Sequence, residues 1–268
     1  NKGQSTNDVY PTAGKLTMLK KVSILVKQLI RLEDALLKKS IEFKNIMKLG
    51  RTQLSDAVPL TLGQEFHAYY TAIKRCHKRL ALTRTEMMTI NLGGTAIGTG
   101  IRSHSDFSQV VIKELNEITH SEFIIAEDMI DNTQNIESYS TLSDSLKALS
   151  LGISKIANDI RLLSSGPRSG IGEIKIPEKQ NGSSIMPGKI NPVIPEIVNQ
   201  CAFAVVGNNL TISMAVEGGQ LELNAFEPVI FYRLLESFQL LTNAIDTFVT
   251  NCIVGIEANE ERCKELLD

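Results

Sequence analysis

The sequence predicts an all-α fold, a bundle of long helices, and three observations carry that prediction. The eight prolines, at 11, 59, 167, 177, 187, 192, 195 and 228, leave long spans that helices can occupy without interruption. Aromatic residues make up only 5% and Trp is absent, so the core must be built from Leu, Ile, Val and Ala, a mix that suits packed helices better than sheets. Apolar residues recur at helical spacing through most of the chain. With 43% hydrophobic and 22% charged residues over 268 positions, the chain has the composition of a globular protein with a sizeable core.

The elements follow in order. Pro11 suits the first position of a helix opened by a capping polar run, and Leu16, Leu19, Val22, Val26, Leu29, Leu32 and Leu36 extend it to about Met47. Leu62 to Leu92 is helical in pattern. Ser143 is a candidate N-cap for a helix carrying Leu146, Leu149, Ile153, Ile156, Ile160 and Leu163. Another runs from about Pro195 to Leu210, with Ile197, Cys201, Ala202 and Val205 beside small residues. The next holds Ile230, Leu234, Phe238, Leu241, Ile245 and Phe248, and a last one spans Glu257 to Leu267. Asn209 to Val216 is rich in Val, Ile and Thr, but its flanks favour helix. No internal repeat interrupts the pattern.

Several function classes are disfavoured. The charge balance of 28 Lys+Arg against 30 Asp+Glu argues against nucleic-acid or membrane-surface partners, which recruit basic excess. Cys76, Cys201, Cys252 and Cys263 form no CxxC pair, and His67, His77, His104 and His120 show no metal-ligand spacing, so no metal is expected. No run of roughly 18 apolar residues and no signal-peptide pattern is present, which leads to the expectation of a cytoplasmic protein. The chain opens without Met and stops inside a helical pattern, as expected of a piece of a longer chain.

Four polar or glycine-rich blocks punctuate the helical text: Gln4 to Asp8, Gly50 to Gln53, Gly93 to Gly100, and Gly182 to Pro192. The last lies among four prolines between 177 and 195, so it is a loop, and loops of that length in compact domains are commonly functional. Its glycines, hydroxyls, Lys189 and Asn191 suit an anion. It is not a P-loop, because five residues separate Gly182 from Gly188 and Ile190 follows Lys189. Gly93 to Gly100 lacks a Lys, and no preceding strand is expected, which removes the dinucleotide reading. Taken singly, Ser5 to Asp8 also reads as plain helix capping and Thr52-Gln53 as a turn.

In combination the blocks are more specific. Gly182 to Pro192 resembles the signature loop of the fumarase/aspartase superfamily, and Gln4 to Thr12 and Gly50 to Pro59 resemble its first two regions, in the right order. Residues 1–268 resemble its central helical domain, which carries oligomerisation and catalysis, and the resemblance implies further N-terminal and small C-terminal domains. Gln-Ser-Thr-Asn-Asp at 4 to 8, Gln53 in place of a His, and Glu227-Pro228-Val229 lean towards the aspartate ammonia-lyase branch rather than class II fumarate hydratase, which stays as the alternative. A catalytically silent oligomerisation core is the reading from another class.

The resemblance implies removal of a β-proton from L-aspartate and loss of ammonia, giving fumarate through an aci-carboxylate. Donors must be aimed at that developing charge. By resemblance Ser5, Thr6 and Ser184 bind the β-carboxylate, Thr52, Lys189 and Asn191 the α-carboxylate, and Asn7 and Gln53 the amino group. Ser183 is the general base, its oxyanion stabilised by loop amides and the Lys189 charge. No cofactor is implied, and an activating divalent cation is not readable from the sequence. A straight helix from Pro11 to Met47 would set Ser5 and Thr52 on the order of 50 Å apart, too far for one substrate. The superfamily's homotetramer, with sites shared between subunits, resolves that separation.

Overall fold

The computed structural model describes every residue except Asn1, Lys2, Asn181, Ser183, Pro187 and Gly188. Its elements are α1 (Thr6–Glu42), β1 (Met47–Thr52), β2 (Ser55–Thr61), α2 (Leu62–Met87), β3 (Thr89–Ile90), α3 (Phe107–Thr119), β4 (Ile124–Ile125), α4 (Met129–Gln134), α5 (Glu137–Leu163), β5 (Ile174–Lys175), α6 (Val193–Glu217), α7 (Glu227–Asn251), β6 (Glu257–Ala258) and α8 (Glu260–Leu267). The expected all-α, long-helix architecture is what these elements build, with three two-stranded sheets as small additions. None of the described helices is long and apolar enough to cross a membrane.

Two compact units share the chain: Asn1–Ile24, Lys78–Lys147 and Val205–Gln239 form one, and Leu25–His77, Ala148–Ala204 and Leu240–Asp268 the other. In the first, β3 and β4 pair in parallel and Met88, Ile90, Leu92, Ile112 and Phe123 form a buried cluster. Tyr139 and Phe231 meet edge to face at 5.2 Å. In the second, β1 and β2 form an antiparallel hairpin, and Phe66 packs between Phe43 and Tyr69.

Helix α1 corrects the sequence at both ends. It starts at Thr6, with Pro11 in its interior rather than at its first position, and it stops at Glu42 rather than Met47. An interior proline leaves the carbonyl four residues earlier without its N–H partner. Here that carbonyl belongs to Asn7, and Asn91 Nδ2 donates to it at 3.0 Å. The tertiary contact supplies the bond the proline removes. At the other end, residues 43–46 form a turn and Met47 opens the hairpin instead.

Ser143 is not an N-cap. Helix α5 begins six residues earlier, and the Ser143 hydroxyl, buried in its interior, accepts from Asn209 Nδ2 at 3.0 Å. Helix α2 ends at Met87 rather than Leu92, and the last helix begins at Glu260 rather than Glu257. Asn209 to Val216 is helical, as its flanks indicated. A strand does precede Gly93 to Gly100: Thr89–Ile90, two residues long and too short to leave a period in the sequence. Helices α3 and α4 and the 47–61 hairpin were not expected at all.

Candidate active site

In the first unit the candidate residues sit on the opening turn of α1. Ser5 Oγ accepts from Asn7 N at 3.2 Å, and the Asp8 carboxylate reaches back to accept from Ser5 N at 3.0 Å. This reciprocal pair is a capping box, with Asp in the place usually taken by Glu or Gln. The capping reading of Ser5 to Asp8 is therefore correct, and it leaves the functional one intact, since Thr6 is exposed and Ser5 and Asn7 are half-buried.

The glycine-rich stretch wraps this turn. Asp8 Oδ2 accepts from both Gly93 N and Thr95 N at 3.0 Å, and Asn7 Nδ2 donates to Ala96 O at 2.7 Å. A βαβ-like run, β3, loop, α3, β4, thus closes its loop amides on a carboxylate of the same chain rather than on a phosphate. Gly98 is required in the loop: at φ +92°, a Cβ would lie 2.4 Å from Ile130 N and Met129 O.

In the second unit Thr52 ends β1, and Gln53 and Leu54 make the two-residue hairpin turn. Both turn residues take positive φ, 53° and 64°, as a two-residue turn of the I′ kind demands. Neither is Gly or Asn, so the turn carries backbone strain at a candidate site residue. Thr52, Gln53 and Leu54 are all exposed. The expected turn is present, now set in a hairpin.

The hairpin is anchored from below. Glu173 is completely buried, with Arg51 Nη1 at 2.9 Å and Lys48 Nζ at 2.7 Å, and Lys48 also meets Glu65 at 2.7 Å. A cleft of about 330 Å³ opens beside it, lined by Lys48, Arg51, Thr52, Lys155, Glu65 and Asp159 among others. Among the described candidate residues, Thr52 is the one that lines it. The cations there are matched by carboxylates, so the cleft is close to neutral.

Ser184, Lys189 and Asn191 also belong to the second unit. Ser184 and Lys189 are exposed and Asn191 is half-buried. Asn191 O accepts from Val193 N at 2.9 Å, which places Asn191 at the opening of α6, where helix amides favour an anion. Ser183 lies outside the described residues. Ser5 and Thr6 on one side and Asn191 on the other thus stand at helix N-termini.

A cleft in the first unit is of the wrong sign for a dianion. Its volume is about 370 Å³, and its lining includes Glu86, Glu127, Asp128, Asp131 and Glu137. Below it Lys15 is buried and donates to Thr89 O at 2.5 Å. Burial lowers its pKa to about 8, against the pull of Glu137, Glu227 and Glu86. Burial raises Glu227 to about 7, opposed by Lys15. Among the described residues no group of three or more His, Cys, Asp or Glu is arranged to hold a metal ion.

Sequence reasoning missed Asp8, Asn91 and Glu173 as partners of the site. Asp8 carried a signal, the Ser-x-x-acid spacing of a capping box. Asn91 and Glu173 carried none, because their partners stand 84 and 122 residues away.

Comparison with known proteins comes down on a consistent set. A family profile described as Lyase matches residues 1–207. An aspartate ammonia-lyase of Helicobacter pylori is 50% identical over 99% of this chain, which spans 57% of that relative's length. An aspartate ammonia-lyase of Escherichia coli strain K12 is 47% identical over 98% of the chain, which spans 55% of it. Among solved structures, a fumarate lyase:delta crystallin from Brucella melitensis bound to cobalt has a TM-score of 0.97 at 48% identity, covering 99% of this chain and 58% of that one. A class II fumarase from Schistosoma mansoni has a TM-score of 0.92 at 32% identity, covering 100% and 59%. The chain spans little more than half of each.

Proposed function

The chain belongs to the Lyase family, the fumarase/aspartase superfamily, and from that premise we propose that the whole protein is an aspartate ammonia-lyase working in the cytoplasm. The observation that carries the reading is the 50% identity to a curated aspartate ammonia-lyase along 99% of the chain, against 32% to the class II fumarase. The substrate is L-aspartate and the products are fumarate and ammonia.

The step is a redox-neutral elimination and needs no cofactor. Ser183, as an oxyanion, takes a β-proton, and the C–H electron pair passes into the neighbouring carboxylate to give the aci-carboxylate. The pair then returns as the C=C bond while the Cα–N bond breaks, and nitrogen leaves as ammonia with that bond's electrons. Ser5, Thr6 and Ser184 hold the β-carboxylate where charge accumulates, because donors aimed at the transition state lower the barrier most. Thr52, Lys189 and Asn191 hold the α-carboxylate, and Asn7 and Gln53 face the amino group. Gln53 cannot donate a proton as a His can, so its role is orientation.

The enzyme is proposed to be a homotetramer with sites shared between subunits. Two features support this. The 37 residues of α1, about 55 Å of helix, stand in the chain between Ser5 and Thr52. Phe203, Leu210 and Met214 lie exposed at spacings of seven and four on α6, an apolar stripe suited to another helix.

Fumarate absorbance, followed with L-aspartate and separately with L-malate, tests the reaction. Turnover of aspartate alone is expected; turnover of malate alone would establish the hydratase instead, and turnover of neither a silent core. Ser183→Ala is expected to lower kcat by about 10³-fold with a modest change in substrate binding, and near-normal turnover removes Ser183 as base. Light scattering is expected to give four chains, and full activity at the mass of one chain refutes the shared site.

A further inference from the structure

We propose that Asp8 is a positioning residue of this site, acting through Ser5, Thr6 and Asn7, an inference that rests on the reading of those three as substrate donors. Asp8 is wholly buried. Its two carboxylate oxygens accept three backbone N–H groups, Ser5 N on Oδ1 and Gly93 N and Thr95 N on Oδ2, each at 3.0 Å. No cation takes part in that set. The carboxylate instead uses amides on both sides of a joint: the segment that enters α1, and the loop that wraps it.

The joint has a purpose a helix cap alone does not require. Capping needs only the bond between Asp8 and Ser5 N. The two bonds to the 93–95 segment tie the first turn to residues 85 and 87 positions away. Two further bonds repeat the tie on either side of Asn7. Its carbonyl accepts from Asn91 Nδ2 at 3.0 Å, and its own Nδ2 donates to Ala96 O at 2.7 Å. Asn91 is in turn fixed by Thr133 Oγ1 at 2.8 Å. The turn carrying Ser5, Thr6 and Asn7 is therefore held at both its backbone and its Asn side chain before any substrate arrives.

That arrangement matters for catalysis because a donor displaced by about 1 Å loses on the order of 10²-fold in rate. Thr95 itself takes φ 59°, an unfavourable backbone for a Thr, and the loop keeps it there with its N–H turned on Asp8. In Asp8→Asn one oxygen becomes an NH₂ group facing backbone donors, so the joint opens while the side chain keeps its size.

A double-mutant cycle on kcat, using Asp8→Asn and Thr6→Ala in the assembled enzyme, is the test. Asp8→Asn is expected to lower kcat by about 10²-fold, while affinity for succinate, an unreactive dicarboxylate, changes by less than about tenfold. Once Thr6 is Ala, Asp8→Asn is expected to cost much less. Strictly multiplicative losses, or a lowered melting temperature with normal kcat, would overturn the proposal by making Asp8 merely structural. If Asp8→Asn does not fold, Asn91→Ala is read in the same cycle: a fall in kcat of about tenfold supports the joint and an unchanged kcat overturns it. Wild-type turnover of malate in place of aspartate defeats the lyase reading alone, and the cycle is then read on malate.

Discussion

In the first unit the candidate side chains ride on a turn held by a buried carboxylate and three backbone amides, whereas in the second Thr52 and Gln53 stand at the exposed tip of a hairpin. Each segment has a carboxylate beneath it, but the two are used differently. Asp8 binds neutral amides directly at the site. Glu173 binds two cations at the hairpin's base, and the tip projects beyond them with a strained turn. One segment is held on both sides within its own unit; the other has its support behind it and its tip exposed.

The sharpest way to break the contrast is to remove the hairpin's anchor. Glu173→Ala leaves Arg51 without its buried partner and Lys48 with Glu65 alone, and loss of one member of a buried ionic set costs about 3–5 kcal/mol. Denaturant melts should show that loss, and an unchanged midpoint would mean the hairpin is held by packing instead. Next in size is Gly98→Ala, which thrusts a Cβ against backbone at 2.4 Å in the loop that wraps α1. It is expected to destabilise by about 2–3 kcal/mol, and a calorimetric melting temperature equal to wild type would show that the loop yields freely.

The smallest effect sharpens the comparison through pH. Glu227, which helped to separate the two enzyme branches in sequence, has its pKa raised from 4.5 to about 7 by burial, with Lys15 opposing. Between those values the folded protein holds more protons than the unfolded one, so stability falls as pH rises from 4.5 to 7. Glu227→Gln should abolish that fall, leaving the variant more stable than wild type above pH 7 and little changed below pH 4.5. Urea titrations across that range measure it; a variant that loses stability at high pH would show that the charge on Lys15 depends on Glu227.

The legible parts of the molecule are those written in local spacing. The long helices showed themselves because Leu29, Leu32 and Leu36, all fully buried, or Ile153, Ile156 and Ile160, recur at the period of one face. The site blocks showed themselves because hydroxyl, amide and glycine residues were gathered in short runs of the kind found at helix ends and in loops. The 47–61 hairpin stayed hidden because its turn residues, Gln53 and Leu54, are not those a two-residue turn normally selects. Short β3 and β4 were hidden by their length.

Composition and periodicity therefore determined the helical class by themselves, since burying one face of a helix is a demand each segment makes on its own residues. The motif blocks likewise marked the side chains proposed for the chemistry. Where α1 begins, how Pro11 is accommodated, what the glycine-rich loop holds and what anchors Thr52 were decided by tertiary structure. Each of those depends on a donor meeting an acceptor dozens of residues away: Asn91 with Asn7, Gly93 and Thr95 with Asp8, Arg51 with Glu173. A buried polar group must be paired wherever the fold finds it a partner, and only the folded chain says where that is.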